Sequence, residues 1–299
     1  MQIETESATS RAARTPSARA LHLALTALNR ERLTPDVPRD DWPERLTRGL
    51  ELALREGRFL EEARGLVARR AMDAPSAAGP FAAWFERLRD EGPGQHDPLF
   101  DYLAARASLD EVRWFLMQEV AGEAGFDDLV ALTQLRLPTS AKLELARNYW
   151  DEMGRGREAG MHGPMLTRLA EAAGVRGASP DGIVWESLSL GNLLAGLAYN
   201  RRYAWHSLGA LGAVELTAPT RAPKVVRALE RVGLRGDALQ YFKLHATIDV
   251  AHFRGWRDEA LVPVVAERPE LARPIAEGAL MRLEAGRRTF ARYRRELGV

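Results

Sequence analysis

Six histidines are present, His22, His96, His162, His206, His245 and His252. Two of them belong to one pattern, His245-x3-Asp249-x2-His252, in a stretch that reads as helix. Positions i, i+4 and i+7 share a helical face, so the three side chains point the same way. Leu244, Ile248 and Ala251 flank them and make that face partly apolar. Two imidazoles and a carboxylate are costly to bury without a charge partner. A divalent metal satisfies all three together. Nitrogen and oxygen donors without thiolate suit iron, manganese, zinc, copper or nickel. The competing reading is three ordinary polar residues with surface or core hydrogen bonds.

A metal held this way needs further ligands, and in helical bundles facing helices supply them as inward carboxylates and imidazoles. Glu119 follows Val112, Phe115 and Leu116 at helical spacing and falls on an apolar stripe; Glu123 lies one turn later and is less centred. Glu215 follows Leu208 and Leu211, and Glu152 follows Leu145 and Tyr149, in the same manner. Asp151 falls with Glu144 and Arg147 on the polar side. Each glutamate taken singly also suits a solvated or salt-bridged position. Between Glu152 and His162 stand Gly154, Gly156 and Gly160. Each costs a regular helix about 1 kcal/mol relative to alanine. An opened turn that aims Glu152 and His162 at one point accounts for them, and so does a plain interhelical loop. Glu158, four residues before His162, is the rival partner for that histidine.

The elements that must position these residues are helices. Ala, Leu, Arg and Glu dominate, and apolar residues recur at three- and four-residue steps. Residues 41–71 and 237–265 are long enough to expect a break, at Gly57 in the first. Pro219 and Pro223 predict a break between helices over 203–217 and 223–232. Ser108 and Ser140 suit helix starts, and Gly174, Gly233 and Gly236 suit helix ends. The expected domain organisation is a disordered N-terminus over 1–16, a helical segment over 17–96 and a main helical domain over 97–299. The boundary falls near the Glu-Gly-Pro-Gly stretch at 91–94.

Composition narrows the function classes. The chain has 299 residues, 46% hydrophobic and 28% charged, enough for a sizeable core. Lys+Arg number 42 against Asp+Glu 41, which argues against a nucleic-acid footprint or an anionic membrane partner. Cysteine is absent, which excludes disulfides, thiolate metal sites, iron–sulfur clusters and a cysteine nucleophile. No apolar run approaches a membrane span. Glu4 and Glu6, with no apolar stretch beside them, argue against a secretory signal and for a cytoplasmic protein.

Taken together, Glu119, Glu152-x-Gly154-x-Gly156-x5-His162, Glu215 and His245-x3-Asp249-x2-His252 resemble the heme-oxygenase-like diiron oxidase and oxygenase family, also labelled iron-containing redox enzymes. The resemblance covers roughly residues 100–265. It implies an all-α, heme-oxygenase-like helical bundle, here with an N-terminal helical extension. It implies two Fe(II) ions, no heme, and O2 as co-substrate. The implied ligands are Glu119, Glu152, His162, Glu215, His245, Asp249 and His252, with one carboxylate bridging; Glu123 offers the chemistry of Glu119 a turn away. Such enzymes oxidise amine nitrogen, cleave C–C bonds or desaturate amino or fatty acids. The expectation is a small amine or amino-acid-like substrate in specialised metabolism, with N-oxygenation ahead of C–C cleavage or desaturation. Tyr149, Tyr241 and Arg202 are expected near the pocket, with Arg201, Asn192 and Asn200 as further candidates for a substrate carboxylate. An external electron donor and a homodimer are compatible with this picture. The alternative of another class is a non-catalytic or metal-independent helical binding protein on the same fold.

Overall fold

The computed structural model describes residues 17–123, 125–175 and 179–299; the N-terminus expected to be disordered, 1–16, lies outside them. The helices are α1 (Ala18–Leu33), α2 (Trp42–Ala71), α3 (Ala78–Glu91), α4 (Pro98–Ala105), α5 (Leu109–Gly122), α6 (Phe126–Thr133) and α7 (Thr139–Glu152). They continue with α8 (His162–Ala173), α9 (Trp185–Tyr199), α10 (Ala204–Arg231), α11 (Gln240–His245), α12 (Ile248–Gly255), α13 (Val262–Glu267) and α14 (Ala272–Leu297). A π-helical turn, Trp256–Leu261, joins α12 to α13. No strand occurs among the described residues; Met153 and Met161 form an isolated antiparallel bridge. None of these helices is long and apolar enough to cross a membrane.

Helices α9, α10 and α14 form the centre. α9 is buried along most of its length, from Glu186 to Ala198. α10 and α14 cross where neither has a side chain. A Cβ on Gly209 would stand 1.9 Å from the Ile275 carbonyl oxygen, and one on Gly278 would stand 1.9 Å from that of His206. Two apolar clusters flank the crossing. One gathers Leu60, Phe81, Phe85, Leu208 and Trp256. The other gathers Phe100, Phe115, Leu169, Leu229 and Phe290. α1 packs on α9, and α2 on α14 and α9; α2 and α3 contribute directly to the first cluster.

Several local expectations need correction. α2 runs through Gly57 without a break. No atom lies within 4 Å of a Cβ built there, and Leu, Arg and Glu on both sides offset the cost of one glycine. α10 is one helix with Pro219 and Pro223 inside it. Pro219 cannot donate to the carbonyl of Glu215. The hydroxyls of Thr217 and Thr220 bond back to the carbonyls of Ala213 and Thr217, both at 2.7 Å, and packing against α14 holds the helix together. Ser140 lies inside α7, which begins after Pro138 without a side-chain cap. Ser108, by contrast, forms a full capping box with Glu111.

The stretch 237–265 breaks at Ala246 and Thr247, between the two histidines. Thr247 Oγ1 donates to the carbonyls of Lys243 at 3.3 Å and Leu244 at 3.0 Å. This local bonding competes with the helical ladder, and Thr247 leaves the helical region at φ −124°. His245 therefore closes α11, while Asp249 and His252 sit on α12.

Candidate metal centre

Between the two apolar clusters lies a cavity of about 140 Å³. Its walls include Phe126, Leu129 and Leu194 from one side and Phe100, Leu166 and Val225 from the other. Glu152, His162, Glu215, His245 and Asp249 face it, and His252 adjoins them.

The glycine-rich segment after α7 brings Glu152 and His162 together. Gly154, Arg155 and Gly156 have φ of 62°, 54° and 80°, in the left-handed region that glycine enters at little cost. A Cβ on Gly154 would lie 2.6 Å from the carbonyl carbon of Gly160, so the two ends of the loop touch backbone to backbone. Glu152, the last residue of α7, and His162, the first of α8, meet at 2.9 Å between Oε2 and Nδ1. Glu158, the rival partner, is exposed.

Two ligand groups result. Glu152, His162 and His245 each offer a donor atom, all within 4.8 Å of one another. So do Glu152, Glu215 and His252. Glu152 belongs to both. The break before α12 sends His245 to the first group and His252 to the second. Asp249 is buried beside the second, with Oδ1 4.0 Å from His252 Nδ1.

Hydrogen bonds fix the orientation of these side chains. His245 Nδ1 donates to the Tyr241 carbonyl at 2.6 Å; a carbonyl only accepts, so Nε2 is left free for a cation. His252 Nε2 donates to Asp151 Oδ2 at 3.2 Å, which turns Nδ1 toward Glu215 Oε2 at 3.4 Å and Glu152 Oε1 at 3.6 Å. Asn148 Nδ2 donates to Glu215 Oε1 at 2.7 Å. The Tyr241 hydroxyl lies 3.3 Å from His162 Nε2.

The electrostatics show what the arrangement requires. Burial and the neighbouring charges of Glu215 and Glu152 push the Asp249 carboxyl well above its usual range. Burial alone would lower His162 and His252. For His162 the carboxylates of Glu123 and Glu152 outweigh it and push the pKa up to about 10. For His252 those of Glu215, Glu152 and Asp249 do the same, again to about 10. His245 is held down at about 4 by burial and by His162 beside it. Asp249 Oδ1 and His252 Nδ1 are buried without a hydrogen-bond partner. Clustered carboxylates, orphaned donor atoms and a free imidazole nitrogen fit bound cations, which replace protons as the source of positive charge.

Six of the seven residues singled out as ligands converge here. The seventh, Glu119, lies one turn away on α5, where Oε1 accepts from the Tyr293 hydroxyl at 3.3 Å. Glu123 is nearer the cluster, with Oε1 3.4 Å from His162 Nε2. The backbone N–H groups of Gly125 and Phe126 hold its carboxylate at 2.8 and 2.9 Å. Tyr241 faces the cavity, whereas Tyr149 packs into the first apolar cluster. Arg202 points outward and pairs with Glu61 at 3.1 Å. Arg201 donates to the carbonyls of Leu132 and Thr133, Asn200 caps the Arg202 N–H, and Asn192 ties to His22 on α1. None of these four lines the cavity. Spacing puts Asp151 on the polar side, yet it reaches His252 because α7 ends there.

A family model described as iron-containing redox enzyme matches residues 113–287, more than half of the chain. Among solved structures, the chain is similar to a CADD-like protein of unknown function from Nostoc punctiforme. The TM-score is 0.58 at 19% identity, over 72% of this chain and 95% of that one. This likeness carries the heme-oxygenase-like fold. No curated protein matches the chain. The family match spans α5 to α14 and takes in both ligand groups, with α1–α4 standing before it: the chain belongs to the iron-containing redox enzyme family.

Proposed function

We propose that the protein is a non-heme diiron, O2-dependent oxidoreductase acting on a small amine or amino-acid-like substrate, with N-oxygenation as the favoured reaction. The observation that carries the reading is the sharing of Glu152 between two ligand groups, buried except for the half-buried His245. One ion would be held by Glu152, His162 and His245, the other by Glu152, Glu215 and His252, with Asp249 beside the second. Glu123, against His162, is the further carboxylate for the first. Two ferrous ions bound there would supply the electrons that reduce O2.

The chain's own residues do the rest. The Tyr241 carbonyl and Asp151 fix the two imidazoles in the tautomers that leave a nitrogen for the cation. Burial holds the Tyr241 hydroxyl well above its ordinary pKa, with Glu123 and Glu119 adding to the effect, so it stays protonated as a donor facing the cavity. Phe126, Leu129, Leu166 and Leu194 limit the access of water. C–C cleavage or desaturation at the same site is the alternative reaction. The reading is tested by anaerobic Fe(II) loading, followed by O2 exposure with and without candidate amines and amino acids. The expected result is O2-dependent absorbance whose decay a substrate accelerates. Absence of iron uptake would instead favour a non-catalytic helical binding protein.

A further inference from the structure

The cavity carries a second set of charges that the ligand groups do not use. Arg282 on α14 lines it and is 5% exposed. Its Nε is buried without a partner, and its guanidinium makes no hydrogen bond or ion pair among the described residues. One turn further along α14 is Gly286, where a Cβ would stand 2.6 Å from Arg282 Nη1. The guanidinium therefore occupies space that any side chain at 286 would take. Arg221 on α10 lines the same cavity. Among the described residues its one hydrogen bond is from Nη1 to Thr217 Oγ1 at 3.2 Å, and it lies 5.9 Å from the centre of the Phe290 ring. Glu119 is the carboxylate whose charge acts on both, and it is engaged by Tyr293, whose hydroxyl also meets Ser187 Oγ at 2.6 Å. Among the described residues no ion pair joins Glu119 to either arginine.

A buried guanidinium without a carboxylate partner is among the least favourable arrangements in a protein interior. Arg282 is such a group, a glycine makes room for it, and the half-buried Arg221 shares its cavity without a carboxylate partner among the described residues; together they call for an anion from outside the chain. Glu119 acts on both guanidinium groups and Asp249 on Arg221 as well, so the positive charge left for a ligand is small and favours a monoanion over a phosphate dianion. Burial and the neighbouring Arg221 bring Arg282 down to about 9, so it remains charged at neutral pH.

We infer that Arg282 and Arg221 form a carboxylate-binding subsite, and that the substrate is a small monocarboxylate anchored there with its far end toward the His245 and Glu152 cluster. The inference rests on reading this cavity as the substrate site. Arg221 lies six residues beyond Glu215 on α10, on the order of 9 Å of helical rise. A chain of about four to seven carbons spans such a gap. The walls between, Leu166, Leu194 and Val225, suit an apolar body. Oxidation would then fall on an atom remote from the carboxylate.

The test is calorimetric binding to the full chain, both iron-loaded and chelator-treated. The probes are linear monocarboxylates of three to eight carbons, with and without a terminal amine, beside their primary amides and alkyl phosphates. Carboxylates should bind both forms, at least tenfold tighter than the amides and no more weakly than the phosphates. R282Q should weaken carboxylate binding at least tenfold while raising Tm by about 2 °C or more, because it removes an unpaired buried charge. G286A and R221Q should weaken binding as well, the first by displacing the guanidinium alone. Binding that needs the metal and survives R282Q would place the carboxylate on the ions and overturn the inference. So would binding by no carboxylate, tighter binding of phosphates, or a fall in Tm for R282Q, which would make the arginine structural. Carboxylate binding without any O2 uptake would support the subsite and remove the oxidase reading.

Discussion

Replacing Asp151 by alanine should weaken one metal site and spare the other. Asp151 belongs to neither ligand group; it holds His252 through Nε2 at 3.2 Å, with side-chain exposures of 19% and 6%. Burial would raise the carboxyl, but bonds from Arg155 and His252 outweigh it and hold it below its usual range, so it is ionised at neutral pH. The Arg155 partner is 69% exposed and contributes little. The His252 bond is a charge-assisted one, worth about 1.5–3 kcal/mol. A hydrogen bond that orients a ligating histidine changes metal affinity by about 10–100-fold. The two figures agree, since a tenfold change is about 1.4 kcal/mol. Asp151→Ala should therefore weaken the site containing His252, Glu215 and Glu152 by about 10–100-fold. The site containing His162 and His245 should keep its affinity. Asp151→Asn retains an acceptor oxygen and should lose less. Anaerobic Fe(II) titration, with Co(II) absorbance as a second probe, resolves the two steps. Equal weakening of both steps, or no change in either, would refute the assignment of Asp151 as the residue that positions His252.

Three further outcomes are expected. Glu123→Gln should remove about one iron per chain, because Glu123 is the carboxylate against His162, while Glu119→Gln should leave the stoichiometry intact; metal analysis of both variants distinguishes them, and the reverse result would restore the reading from sequence. His22 stacks on Trp185 at 5.5 Å, and burial lowers its pKa from 6.5 to about 4. Because the folded value lies below the unfolded one, the associated stability is full above pH 6.5 and lost as pH falls toward 4, to a limit of about 3 kcal/mol. Hydrogen exchange in α1 at pH 7.5 and pH 5 should show this as lost protection, and unchanged protection would contradict it. Gly278→Ala forces a Cβ against the His206 carbonyl and should cost about 3 kcal/mol or more in urea unfolding; a neutral result would mean that α10 and α14 can separate freely.

The helical class is legible in the sequence, and the set Glu152, His162, Glu215, His245, Asp249 and His252 is what the family resemblance implies. Helical spacing places carboxylates on apolar stripes, and the clustered glycines mark a turn that regular helix would not tolerate. Continuity is harder to read. A glycine at 57 carries a local penalty that its helix-forming neighbours offset, and prolines at 219 and 223 carry penalties that packing overrides, while Thr247 ends a helix through a side-chain bond that periodicity does not register. Spacing along α5 favours Glu119 over Glu123, but the choice depends on where α8 brings His162, a tertiary fact. Asp151 escapes a reading by spacing because the direction of a side chain at a helix end is set by the following loop. Arg282 leaves one trace, an arginine inside the apolar run Gly278–Leu283 with glycine four residues on. Such a residue usually marks a surface, and only the cavity shows that this one faces inward.

The central claim is that two ions share Glu152. Anomalous diffraction at the iron edge, on crystals grown anaerobically with Fe(II), tests it most directly. Two peaks are predicted, one against His162 and His245 and one against His252 and Glu215, both within bonding distance of the Glu152 carboxylate. A single peak, or two peaks of which only one contacts Glu152, would contradict the account.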